Sequence, residues 1–222
     1  MEWIGVSALS WVTLAHVLLF VFWLGADFGV YYSAKYVARA DLSKAERLRF
    51  LELLMRLDMY PRSSLILMLP VGFTLAHLAG WANVSVPVLA AIWATGATWF
   101  ILMWSVHKNP QAIVLKRLDL GVRWAFISGL IALAGISLGA GVWTDQVWLS
   151  LKLVLFAGVI GLGLLLRGSV ALWIKGFGLL ESDPDAGNAL VAKGHKEATR
   201  FAHTLWLLLV VMAFLGIAKP LI

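Results

Sequence analysis

The chain has 222 residues, 61% of them hydrophobic and only 14% charged, with a mean hydropathy of +0.88. That charge share is well below the usual one for a soluble domain. The formal net charge is +6, yet the basic residues flank apolar runs, so topology and anionic-lipid contacts explain them better than nucleic acid. Cysteine is absent, which excludes disulfides, thiolate metal sites and cysteine nucleophiles.

The N-terminal apolar run follows no basic region, its early charge being Glu2, and it exceeds a signal-peptide core in length, so it reads as a span. About 20 apolar residues cross ~30 Å of hydrocarbon. On that measure spans are expected over 9–32, 63–79, 86–106, 124–140, 148–166 and 201–218, an all-α transmembrane bundle of six helices in a single domain. After the first span, Ser43-Lys44-Ala45-Glu46 fits a capping box, which opens a helix over 43–57. Leu48, Leu51, Leu54 and Met55 share one side of it, opposite Lys44, Arg47 and Glu52, as in an amphipathic helix on a membrane surface. Pro70 and Gly72 interrupt the second span, and such a bend can open space for a ligand. Asn109-Pro110 reads as a cap and first-turn proline that open a short helix before the fourth span. Residues 176–197, punctuated by Asp183-Pro184 and Gly187-Asn188, read as a loop.

Sixteen of the 18 Lys and Arg residues lie in the first, third and fifth gaps between spans, and none lies in the second or fourth. Basic loops stay on the cytoplasmic side, so both termini are expected outside. Trp3, Trp11, Trp81, Trp143 and Trp148 then fall at outer edges and Trp104, Trp124 and Trp173 near inner ones, where indole rings prefer to sit.

Charged and imidazole groups inside spans are costly and therefore candidates for function. His16, His77 and Lys152 are expected at similar depth in the outer third of the bilayer. Imidazole is the common neutral nitrogen ligand for a metal or haem iron, whereas a lone histidine is more often a packed, hydrogen-bonded residue. An unpaired lysine at that depth calls for an acidic partner, unless it reaches outward to lipid phosphate. His16, Phe20, Trp23 and Asp27 form one stripe of the first span, and Asp27 needs a partner, for which Arg62 and Arg123 are the candidates, as a structural pair or a proton relay. His107 and His203 near the inner interface offer a second metal or haem position. No Gly-rich phosphate loop, His-Glu-x-x-His pair or methionine ladder is present.

The run from Trp11 to His16 followed by Trp23-Leu-Gly-Ala-Asp-Phe28 resembles the first helix of CopD-like membrane proteins and of HemJ-type protoporphyrinogen oxidases. Trp148-Leu149-Ser-Leu-Lys152-Leu153 is similar to the segment that carries the family lysine, with Arg167 at the basic exit. The resemblance implies a helical bundle that binds b-type haem in HemJ-like members, with His16 and Lys152 important for haem or activity, whereas CopD-like members are linked instead to copper uptake. The exit from the first span, Tyr31-Tyr32-Ser33-Ala34-Lys35, departs from the HemJ pattern, and six spans exceed the usual HemJ count.

The expected function is therefore an integral membrane haem b redox protein, with His16 and His77 as iron ligands and Trp23 and Lys152 at the cofactor. Its partners would be the bilayer and a quinone or redox protein, with oligomer formation left open, in a bacterial plasma membrane. A copper permease and a non-catalytic membrane subunit are the rivals.

Overall fold

The computed structural model describes residues 6–220; Glu2 and Trp3, expected at the outer rim, lie outside the described residues. The elements are α1 (Ala8–Val37), α2 (Lys44–Leu57), α3 (Met59–Leu78), α4 (Val86–Lys108), α5 (Ile113–Ala140), α6 (Val147–Leu179) and α7 (Pro184–Ala218). Five of them, α1 and α4 to α7, are long and apolar enough to cross a membrane. The chain is thus an all-helical, multi-pass membrane protein. Large apolar side chains on these helices point away from the protein, Val21, Phe22, Ile101 and Ile217 among them, where lipid rather than water must receive them.

The sixth expected span is α3, which falls short of that measure of length and composition. It carries Arg62, Pro70, Thr74 and His77, yet Leu65, Ile66, Met68, Leu69, Val71 and Ala76 along it are buried. A helix enclosed by protein can be less apolar than one that faces lipid.

The helices contribute to two compact units. The first takes α1 up to Trp23, the stretch Arg62–Gly158, and α7 from Met212. Within it Gly96 of α4 has no side chain where Pro70 of α3 approaches; an added Cβ would lie 3.3 Å from the proline ring. The turns after α3 and α5 both use glycine in the left-handed region, Gly80 at φ +69° and Gly141 at φ +60°. They are stitched together, with Asn83 N–H donating to the Trp143 carbonyl at 2.7 Å and the Thr144 hydroxyl to the Trp81 carbonyl.

The second unit comprises Leu24–Pro61 and Val159–Val211. Its core is Ala34, Val37, Leu54, Trp173, Phe177, Val191 and Ala198. Three sequence expectations are corrected here and in the α4–α5 turn. The stretch 176–197 is not a loop: α6 runs to Leu179 and α7 begins at Pro184, because Trp173, Phe177 and Val191 bury apolar surface there. Asn109 ends α4 rather than starting a helix, and α5 is continuous from Ile113, so Pro110 lies in the turn.

The third correction concerns α2. Its capping box is present: Glu46 N–H donates to the Ser43 hydroxyl and Ser43 N–H to the Glu46 carboxylate. Those bonds hold the Glu46 carboxyl below the usual carboxylate range, the Ser43 hydroxyl contributing most. Arg47, however, points inward and Leu48 outward. The Arg47 guanidinium is 2% exposed, donates to the Val37 carbonyl at 2.9 Å and the Asn188 side-chain oxygen at 2.8 Å, and lies over the Phe177 ring. Neutral acceptors from two other helices offset part of the cost of burying that charge, while its Nη2 is buried without a hydrogen-bond partner.

Candidate functional site

α1, α3, α6 and α7 converge on His16 within the first unit. The His16 ring packs on the backbone of Gly72, where an added Cβ would sit 3.4 Å from its Cε1. Lys152 of α6 lies within electrostatic range of it. The lysine reaches its position across Gly216 of α7, where an added Cβ would stand 2.9 Å from Nζ. Two glycines therefore make the room that the imidazole and the ammonium occupy. The flank is aromatic: Lys152 Nζ stands 5.9 Å from the centre of the Trp148 ring, and buried Trp23 meets Phe156 edge-on at 6.0 Å.

His16 Nδ1 is buried and accepts or donates no hydrogen bond. Lys152 has no carboxylate within ion-pair distance among the described residues. A buried ring nitrogen without a partner beside an ammonium without a carboxylate is an arrangement that a ligand could complete, with an acidic group for the lysine.

His77 is also on α3. It follows Gly72 by five residues, about 140° around and ~7.5 Å along a helix, so it leaves the face that receives His16. Asp27, in the second unit, accepts a hydrogen bond from Trp206 Nε1 at 3.1 Å. Tyr31, His203 and Trp206 form an aromatic group beside it, with ring centres 5.2 to 5.5 Å apart. Arg123 bonds to Asp119, one turn earlier on α5, at 3.0 Å. Arg62 is half-buried near the start of α3. His107 meets the edge of Trp104 at 5.9 Å in the first unit, and His203 is exposed in the second, so each has aromatic surroundings of its own.

Sequence reading missed several of these partners. Asp119 carried a signal, since an acid four residues before Arg123 is a helical ion pair. Gly72 had been noted for the bend and Gly216 not at all, because the closeness of each to a polar side chain is a matter of tertiary packing. No group of three or more His, Cys, Asp or Glu able to hold a metal occurs among the described residues. Comparisons with family models, curated proteins and solved structures find no match.

Proposed function

We propose that the chain is a membrane redox protein that binds haem b, with His16 as a ligand to iron and Lys152 paired with a propionate. The observation that carries this reading is the juxtaposition, on separate helices, of a half-buried imidazole whose Nδ1 is buried without a hydrogen-bond partner and an ammonium with no carboxylate within ion-pair distance among the described residues. Haem brings both missing complements in one molecule, a metal for the ring nitrogen and carboxylates for the lysine. Trp23 and Trp148 provide the flat apolar flank such a macrocycle needs. When bound, haem supplies one-electron exchange, and an open axial position would extend this to oxidase chemistry.

His77 belongs to this reading as the second ligand only if its side chain reaches the iron from its different face of α3, so His16 is the primary assignment. In the same reading α3 is the sixth span, both termini are extracytoplasmic, and the host membrane is a bacterial plasma membrane. The partner is a quinone or a redox protein, and the resemblance to CopD-like and HemJ-like proteins stands on the residues around His16 and Lys152.

The test is an absorption spectrum of the detergent-extracted protein. A reduced-minus-oxidised difference with a shifted Soret peak and an α-band is expected. A colourless protein, after expression with ample haem supply, would end this assignment and leave the polar residues as packing elements.

A further inference from the structure

Within the second unit, α1 and α7 build a face that is aromatic and polar at once. Trp206 Nε1 donates to Asp27 Oδ2 at 3.1 Å, and the Phe28 ring lies 4.6 Å from the Trp206 ring. One turn along α1 from Asp27, Tyr31 meets Trp206 at 5.2 Å and His203 at 5.4 Å between ring centres. His203 and Trp206, three residues apart on α7, stand 5.5 Å from each other. A further turn along α1, Lys35 Nζ lies 4.8 Å from the centre of the Tyr31 ring. An unbroken series of contacts thus joins Asp27, Trp206, Tyr31, His203 and Lys35.

Much of the polarity of this face goes unused. Asp27 Oδ1, the Tyr31 hydroxyl and both ring nitrogens of His203 make no hydrogen bond among the described residues. Asp27 has no cation within ion-pair distance among them either. The face looks outward: Phe28 and His203 are exposed, and Asp27, Tyr31 and Trp206 are half-buried. Both helices are long and apolar enough to cross a membrane, where hydrocarbon offers polar groups no water. An acid and an imidazole are costly in such a place and mark a site.

An interfacial anchor of Tyr, Trp and Lys explains the rings and Lys35, but it needs neither Asp27 nor His203. A phosphate headgroup would suit Lys35, yet the Asp27 carboxyl, with Asp58 in electrostatic range, has the wrong sign for it. What the face lacks is a lipid-soluble partner with a flat ring and oxygen atoms that both accept and donate. The quinone–quinol couple has that chemistry: carbonyl oxygens accept from imidazole and phenol, and quinol hydroxyls donate to a carboxylate. Beyond Trp206, exposed Leu207 and Val210 continue the side of α7 that carries His203, a bed for an isoprenoid chain.

We propose that the face formed by Asp27, Tyr31, His203 and Trp206 binds the ring of a membrane quinone. His203 and Tyr31 serve its carbonyl oxygens, Asp27 Oδ1 takes a hydroxyl of the reduced form, and Phe28 and Trp206 flank the ring. The choice of ligand rests on the redox reading, which names a quinone as partner; the site uses neither His16 nor Lys152.

The test titrates the full chain in phosphatidylcholine nanodiscs calorimetrically, with empty nanodiscs as the baseline. The probes are a benzoquinone carrying a single isoprenoid unit and, separately, menadione. Saturable binding of at least one of them, weakened about tenfold or more in His203→Ala and in Asp27→Asn, is expected. Tyr31→Phe, which removes only a hydroxyl and keeps the packing, should weaken it severalfold. No saturable binding by the parent, or equal affinity in all three variants, overturns the proposal. Native mass spectra showing phosphatidylglycerol held by the parent and lost from His203→Ala, with no quinone heat, overturn it in favour of a headgroup. Haem content is measured on the same samples. Quinone binding by a colourless protein keeps this site and removes the haem assignment, whereas normal haem without quinone binding does the reverse.

Discussion

Two regions of the first unit place ionisable groups on long apolar helices, and they partner them differently. On α5, Asp119 and Arg123 are 1% and 5% exposed and bond to each other at 3.0 Å, while Trp99 Nε1 donates to the second Asp119 oxygen at 3.1 Å. The guanidinium lies over the Trp99 ring, which stacks on Phe126. Acid, base and indole complete one another, as a structural cluster should. Around His16 and Lys152, both half-buried, two nitrogen bases stand together with no carboxylate within ion-pair distance among the described residues. A protein can build a closed charge cluster, as α4 and α5 do, so the open one reads as a place reserved for something else.

Removing one member of each cluster should separate them. Asp119→Ala removes the carboxylate that a buried guanidinium bonds to and should cost about 3–5 kcal/mol. Unfolding in mixed detergent micelles, followed by helical circular dichroism, measures it, and a loss well under this would mean the pair is not the closed cluster described.

The second unit gives an intermediate case, where packing rather than charge is at stake. A Cβ at Gly194 would stand 2.8 Å from the Ser169 carbonyl oxygen and 2.9 Å from the Trp173 ring. Gly194→Ala should therefore cost about 1–3 kcal/mol through overpacking, read by the same unfolding transition. An unchanged midpoint would show that α6 and α7 can separate there without loss.

The smallest effect is expected at Lys152. Replacing a half-buried lysine that has no carboxylate partner among the described residues by an apolar side chain of similar size removes a partial desolvation cost, so Lys152→Met in haem-free protein should leave stability within about 0.5 kcal/mol of the parent or raise it. A loss approaching that of Asp119→Ala would reveal a protein partner for the lysine and collapse the contrast between the two regions.

What the sequence disclosed follows the range of the interactions. The capping box at Ser43 and Glu46 is a four-residue device and was legible outright. The long apolar runs of α1 and α4 were too, since span length is a local property. The helical ends over 167–200 were lost because mean polarity there is set by Lys175, Lys193 and Lys196, while the buried set repeats at helical spacing, Trp173 with Phe177 and Val191 with Ala198. Reading the period rather than the average would have recovered them. Arg47 could not be read, because what offsets part of its burial cost is Asn188, 141 residues away. In the site, His16 and Lys152 stood out as costly residues in apolar runs, but the closeness of Lys152 to Gly216 depends on how α7 ends.

The central claim is that the imidazole of His16 and the ammonium of Lys152 grip a cofactor together. Haem bound per polypeptide, assayed as the pyridine complex in the parent, His16→Ala and Lys152→Met, tests it most directly. Near-stoichiometric haem in the parent, none with the alanine and a clearly reduced share with the methionine is the predicted result. Equal haem in all three proteins would contradict the account.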